Sequence, residues 1–368
     1  MKKGKLFIGA VVVLAFCIMF WIIYKSNKTN IVKEIKIGVI LPLSGSQSLF
    51  GQDSLAAMRI AETEINKNAI SEKGRPIKLI VEDGKYSSKD TIMAYNKLKS
   101  EDVLALIVFG DVPAFTLAPY IENDKIPCIA HVASGQNVAN LSSWMFRGWF
   151  STEQIVKAML GFMIDEQGSN YSILSINNNA GDEFVNYMLQ EASNNGINCL
   201  AQDTFEMDSS DVRSQIKKVL KDNINFVAVL GFGPGYVTVM NQLSESGYKE
   251  NILTDVCIAH RSYKNGIKDK LAKIYYTDCK VLESAEGCND FLSQYHLKTG
   301  EEADLFAIFG YVNVKILSKA FNAAGAESEN VKNWLSNMKD YESIIGSLSF
   351  DKDGNMEMPL ELFKLNFK

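Results

Sequence analysis

The 368 residues carry a formal net charge of −5, with 47% hydrophobic and 22% charged side chains. That balance is ordinary for a globular protein. It disfavours nucleic acid or an anionic membrane surface as a partner, and no run of Lys or Arg forms a basic patch.

Lys2, Lys3 and Lys5 precede an apolar run from Leu6 to Tyr24. At about 19 residues it is near the length of a bilayer-spanning helix. A cleavable signal has a shorter apolar core and a small-x-small exit, whereas Cys17-Ile-Met-Phe-Trp-Ile-Ile-Tyr24 stays bulky to the end. Leu14-Ala-Phe-Cys17 faintly resembles a lipobox, but Phe16 is too bulky before the cysteine. The expectation is an uncleaved membrane anchor and linker over residues 1–30. Lys25, Lys28 and Lys33 on the far side nearly cancel the positive-inside bias, so flanking charge leaves the orientation open.

About 335 residues follow, more than one ordinary core, so two lobes are expected. Ile35–Leu41 reads as a strand. Gly51–Lys67 then carries Leu55, Met58, Ala61 and Ile65 at helical spacing. Ile77–Glu82 is the next strand and Ser88–Lys99 the next helix, with Ser88 as its predicted cap. Ala105–Phe109 is a strand, Thr116–Asn123 a short helix and Pro127–His131 another strand. After an irregular passage around Leu141–Phe150 the alternation restarts. Strands are predicted at Tyr171–Ile176, Ile197–Phe205, Phe226–Leu230 and Ile252–Thr254, and helices at Gly181–Asn194, Ser210–Lys221 and Tyr236–Ser246. Gly196 and Gly247 stand just past helix ends, where a left-handed residue is tolerated. Helices over Asp304–Ala324 and Asn330–Met338 precede a predicted hairpin of Ser347–Phe350 with Leu362–Phe367. Buried strands alternating with helices imply an α/β fold of two doubly wound units, each a parallel sheet covered on both faces.

Cys17, Cys128, Cys199, Cys257, Cys279 and Cys288 include no Cys-x-x-Cys pair. Cys128 sits in an apolar strand, and Cys279 with Cys288 could close a small disulfide loop in an oxidising compartment. The three histidines, His131, His260 and His296, lack metal-binding spacing. No Gly-x-Ser-x-Gly elbow or P-loop occurs; Gly231-Phe-Gly-Pro-Gly235 lacks the Lys-Ser/Thr of a phosphate loop. Asp351-Lys-Asp-Gly-Asn355 starts like a calcium loop but has Met356 and Leu362 where Gly and Glu are needed. It reads as a tight turn opening the last hairpin. No cofactor and no enzymatic reaction are expected.

Ile37-Gly-Val-Ile-Leu-Pro-Leu-Ser-Gly45, Phe50-Gly51, Glu64-Ile-Asn66, Val81-Glu-Asp83, Ile126-Pro-Cys-Ile-Ala130, Phe146-Arg147, Asn177-Asn-Asn-Ala-Gly181 and Ser349-Phe-Asp351 occur in order. With this set the chain resembles the leucine/isoleucine/valine-binding type of periplasmic binding proteins, the substrate-binding subunits of branched-chain amino-acid ABC transporters. The resemblance covers about Ile35 to the end. It implies two lobes with a hinge, residues 31–148 plus 282–343 and residues 149–281 plus 344–368, trapping a solute between them. It also implies an ABC permease as partner and a globular domain outside the cytoplasmic membrane, in the bacterial cell envelope.

In that family an amino acid's carboxylate is held by hydroxyls and amides at two turns of the first lobe, and its ammonium by an acid of the second. Carried over, Val132, Ala133 and Ser134 occupy one turn, with Ser134 the carboxylate donor or a turn serine facing water. Phe50 matches a cleft aromatic or anchors the first helix. The other turn, Gly110-Asp-Val-Pro-Ala-Phe-Thr116, is shorter than the family pattern. Ala114 stands near the usual hydroxyl position, and Thr116 substitutes only if the loop shifts. Asp111 reads as a surface-loop acid pointing away. In the second lobe Ala180 replaces a common tyrosine, Phe232 falls where an aromatic covers the ligand, and Asp255 lies about one position from the ammonium-binding acid, with Val256 as the competing slot. Trp149 and Phe150 line the cleft or pack the hinge. His131, one turn residue from the cleft, contacts the ligand or is a satisfied strand-end residue. The functional expectation is a solute-binding protein for an amino acid or similar small polar carboxylate. The alternative is a membrane-tethered regulatory or interaction protein, or sensor, that keeps the fold without a transport ligand.

Overall fold

The computed structural model describes residues 34–366, apart from residue 73 and residues 269–272. The predicted anchor lies outside the described residues. Among the described residues no helix is long and apolar enough to cross a membrane.

The first sheet is built from β1 (Ile35–Leu41), β2 (Ile77–Asp83), β3 (Ala105–Phe109), β4 (Cys128–His131) and β5 (Met145–Gly148). All its pairings are parallel, in the order β2-β1-β3-β4-β5. β3 is buried at every residue, which explains its continuous apolar run. The connecting helices are α1 (Ser48–Glu72), α2 (Ser88–Ser100) and α3 (Asp111–Asp124). Ser87, not Ser88, caps α2, its side chain accepting from the Asp90 amide. α3 starts five residues before the predicted Thr116. Pro113 falls in its first turn, where no intrahelical N–H is needed, so the proline permits the helix.

The chain then enters the second sheet. Its strands are β6 (Asn170–Ile176), β7 (Asn198–Phe205), β8 (Phe226–Leu230), β9 (Asn251–Thr254), β10 (Ile274–Asp278) and, much later, β14 (Glu361–Lys364). The order is β14-β10-β9-β8-β6-β7, parallel except for β14. Its helices are α4 (Thr152–Asp165), α5 (Asn179–Asn194), α6 (Arg213–Val219), α7 (Pro234–Glu245) and the single turn α8 (Arg261–Lys264). The left-handed residues expected at Gly196 and Gly247 are found, with φ of +70° and +80°. α9 (Cys288–Thr299) and α10 (Leu305–Ala324) return to pack on α1 beside the first sheet. α11 (Ser328–Ser336) follows, then a small antiparallel sheet of β11 (Tyr341–Ser343), β12 (Gly346–Phe350) and β13 (Met356–Glu357).

The predicted final hairpin is corrected. β12 pairs with β11 and β13, whereas β14 pairs antiparallel with β10. The Asp351–Asn355 turn does open a hairpin, but its second strand is β13. The Asp351 side chain accepts from the amides of Asp353 and Asn355. Cys279 and Cys288 are free thiols rather than a disulfide. Cys279 follows β10 at the second sheet, while Cys288 opens α9 on the first.

Gly51 explains the Phe50-Gly51 motif. A Cβ there would lie 2.1 Å from the Pro42 carbonyl oxygen, so the second turn of α1 can pack on the β1 exit only without a side chain. Gly51→Ala is expected to destabilise by about 2 kcal/mol or more. Gly161→Ala, in α4 with open space around its Cβ, is expected to stabilise by about 0.5–1 kcal/mol. Urea unfolding midpoints check both; equal midpoints for the two variants would contradict the packing.

Candidate functional site: a cavity between the two sheets

In a parallel sheet every strand delivers its carboxyl end to one edge, where loops can converge on a ligand. Here the two sheets present those edges to one space. Asp111 follows β3, Val132 and Ser134 follow β4, and Trp149 follows β5. From the other side come Ala180 after β6, Phe232 after β8 and Asp255 after β9. They enclose a cavity of about 120 Å³, large enough for a small solute rather than one ordered water.

The walls are largely aromatic. Phe50 lines the cavity and also stacks on His260, with ring centroids 4.0 Å apart. Trp149 and Phe150 stack at 4.3 Å and both line the cavity as well as packing near the crossing. Tyr86, Phe109, Tyr263 and Phe306 also line it. These were not legible in the sequence, because no motif marks them.

Of the residues carried over from the family pattern, Phe50, Val132, Ser134, Phe232 and Asp255 come together at the cavity. Ala133 is fully buried just behind it. Ala114 and Thr116 are not brought there. Ala114 is buried in the core of α3, and the Thr116 hydroxyl donates to the Val112 carbonyl within its own helix. Because α3 begins at Asp111, both sit beyond its first turn and leave the cavity edge.

Asp111 takes that edge instead. It is not a surface acid pointing away: it lines the cavity, and its Oδ1 accepts from the Gly135 amide at 3.0 Å. Burial raises its carboxyl above the ordinary range, opposed by that amide and by the Arg147 charge. Gly110 permits the geometry. Its φ is +83°, and a Cβ there would lie 2.4 Å from the Tyr86 ring. Val132, next to the cavity on the facing turn, holds φ of +55°. A β-branched residue adopts that conformation only under constraint, as at ligand-binding turns.

Asp255 is buried, and its Oδ1 accepts from the Cys257 amide at 2.9 Å. Burial pushes its carboxyl up to about 7, opposed by hydrogen bonds from Cys257 and from the Gly231 amide. Val256, its competitor in the sequence, also lines the cavity but offers no charge. His131 is fully buried away from the cavity. Asn313 Nδ2 lies 3.2 Å from its Nδ1 and Ser54 Oγ 2.9 Å from its Nε2, and burial depresses its pKa to about 3.

Two polar clasps flank the cavity. On one side Asp53 of α1 accepts from Arg261 Nη2 at 2.7 Å and from His260 Nε2 at 3.1 Å, and Arg261 Nη1 reaches Glu301 at 3.1 Å. Burial alone would raise the Asp53 carboxyl, but hydrogen bonds from His260 and Arg261 and the Arg261 charge hold it below its ordinary value. On the other side the Gln136 amide, after β4, donates to Glu183 of α5 at 2.7 Å. The positions of the first clasp are 207 and 208 residues apart, so no local pattern could have found them. Asp53, His260 and Asp304 place ligand atoms within 4.8 Å of one another. Their donor chemistry does not suit a metal. Arg261 occupies both Asp53 oxygens, Asp304 Oδ1 caps α10, and His260 Nδ1 accepts from the Ser262 amide, leaving the proton on Nε2.

Two facing lobes with a cavity at the strand ends define a binding protein of the two-lobed α/β kind. A family model described as periplasmic binding protein matches residues 34–368, and the chain belongs to that family. It is similar to the Leu/Ile/Val-binding protein of Escherichia coli strain K12, 18% identical over 368 residues, covering 96% of this chain and 94% of that one. It is also similar to Leu/Ile/Val-binding protein homolog 2 of Brucella abortus, 22% identical over 344 residues with 90% of each covered. Among solved structures, the branched-chain amino acid transporter substrate-binding protein of Streptococcus pneumoniae in complex with isoleucine aligns with a TM-score of 0.77 at 20% identity, over 90% of this chain and 100% of that one. A solute-binding protein of Rhodopseudomonas palustris in complex with 3,4-dihydroxybenzoic acid aligns at 0.78 and 17%, over 90% and 93%. At these identities the structural likeness establishes the fold.

Asp255 has a pH signature. Its folded-state value lies above its unfolded one, so between 3.8 and about 7 the folded protein binds the extra proton. Stability contributed by the neutral carboxyl is therefore lost as pH rises through that window. Asp255→Asn should gain on the unsubstituted protein as pH is raised from about 4 to about 8 in urea unfolding. A stability difference independent of pH would contradict the assignment.

Proposed function

We propose that the chain captures a small organic solute between its lobes outside the cytoplasmic membrane and presents the closed form to an ABC permease. The lobes are residues 31–148 with 282–343 and residues 149–281 with 344–368. The observation that carries this reading is the aromatic-walled cavity at the carboxyl edges of both sheets, flanked by clasps that bridge them. Hinge motion would open the clasps, admit the solute and close on it, excluding water.

The ligands in the complexes above, isoleucine and 3,4-dihydroxybenzoic acid, each join a small aliphatic or aromatic body to a carboxylate. The aromatic walls suit such a body. Ser134 is the candidate hydroxyl for the ligand's polar end, with Phe232 covering it from the second lobe.

A ligand that binds only the folded state raises its unfolding midpoint by mass action. The full chain screened against amino acids, amines and small carboxylates should therefore show a midpoint rise with one chemical class. Ser134→Ala should weaken binding of that class several-fold by removing a hydrogen bond to a charged group. No rise with any class would favour the other reading, a tethered interaction protein that keeps the fold without a solute.

A further inference from the structure

The residues lining the cavity include two carboxylates, Asp111 and Asp255, and no lysine, arginine or histidine. The surrounding charges do not reverse that sign. Arg147 stands behind the Ala133–Gly135 turn rather than at the cavity wall. Its Nη1 and Nη2 donate to the carbonyls of Ala133 and Gly135, and its Nε to Asn355. Glu183, beyond the same turn, adds a further carboxylate, and burial raises its pKa as it does that of Asp111. On the Asp255 side, Arg261 is already paired with Asp53 and Glu301, and Asp304 adds another, part-buried acid. An anion entering this space gives up water, meets no unpaired cation in return, and is repelled from both lobes wherever Asp111 and Asp255 are ionised.

The backbone donor that would greet an anion between the β3 and β4 turns is also occupied. The Gly135 amide points to Asp111 Oδ1, and even a Cβ on Gly135 would lie only 3.1 Å from that oxygen. The chain's own carboxylate thus fills the place between the β3 and β4 turns. An ammonium group fits the same space. An ammonium favours the ionised form of both carboxyls and so draws the proton off each as it binds, and the rings of Phe50, Tyr86, Trp149 and Phe232 line the space beside it.

We propose that the cavity takes an organic cation: an ammonium group on an aromatic or branched aliphatic body, with no carboxylate of its own. This rests on the reading of the chain as a solute-binding protein and narrows its ligand. Asp111 binds the ammonium from the first lobe and Asp255 from the second, so the cation draws the lobes together as it loses its water.

The test is titration calorimetry on the full chain with two sets of probes matched in body. One set is 2-phenylethylamine, phenylalanine and 3-phenylpropionate; the other is 3-methylbutylamine, leucine and 4-methylpentanoate. In at least one set the amine should bind about ten-fold or more tighter than its amino acid and its carboxylate. Asp111→Asn and Asp255→Asn keep an acceptor oxygen for the amides of Gly135 and Cys257 while removing the charge. Each should weaken the amine about ten-fold or more and narrow its lead over the carboxylate. Should one variant fail to fold, the other still reports. An amino acid or carboxylate binding as tightly as its matched amine would overturn the cation assignment and leave solute capture standing. Binding of no probe, by the unsubstituted protein or either variant, would overturn both.

Discussion

Strand direction governs the rest of this molecule. A parallel strand must be followed by a crossover, and the crossover leaves from the strand's carboxyl end. In both sheets, therefore, every loop that could touch a solute is delivered to one edge. The chain closes the two edges on each other by crossing after β5, returning with α9 and crossing again before β14. The cavity, the clasps and the two buried acids all lie at the place this arrangement creates.

Burying acids there has a cost, and the structure handles it differently at different sites. Asp53 keeps its charge because Arg261 and His260 bond to it directly. Asp111 and Asp255 have backbone amides on one oxygen and no direct cationic partner, and burial raises both. A protein interior tolerates such groups where binding later supplies the missing partner. On the proposed reading, a cation entering between the lobes would supply that partner to Asp111 and Asp255. That contact would bias an equilibrium between open and closed lobes, since a ligand shifts states only by its differential affinity for them.

Much of the first lobe was legible because its signals are local. Ile37–Gly45 and Phe50-Gly51 encode a buried strand and a helix forced against the Pro42 carbonyl, and periodicity finds both. Long-range pairing was not legible. β14 looked like the partner of β12 because it is near in sequence, yet it adds to β10, with Tyr275 opposite Lys364. β10, α4 and α9 lie outside the elements the sequence predicts, and β5 falls in the irregular passage around Leu141–Phe150. Within the site, the turn after β4 was found from its motif. Asp111 was recognised as a departure, but its direction depended on where α3 starts, and Pro113 disguised that start. The Asp53–Arg261 clasp joins elements on different lobes, so only the folded chain reveals it.

The most direct measurement is a crystal structure of the protein with the solute that most raises its unfolding midpoint. The predicted result is density between the turn at Ser134 and the loop at Phe232, with a nitrogen of the solute within about 3 Å of Asp111 or Asp255. A solute bound elsewhere would contradict the account, as would a solute carboxylate seated against the Gly135 amide with Asp111 turned away.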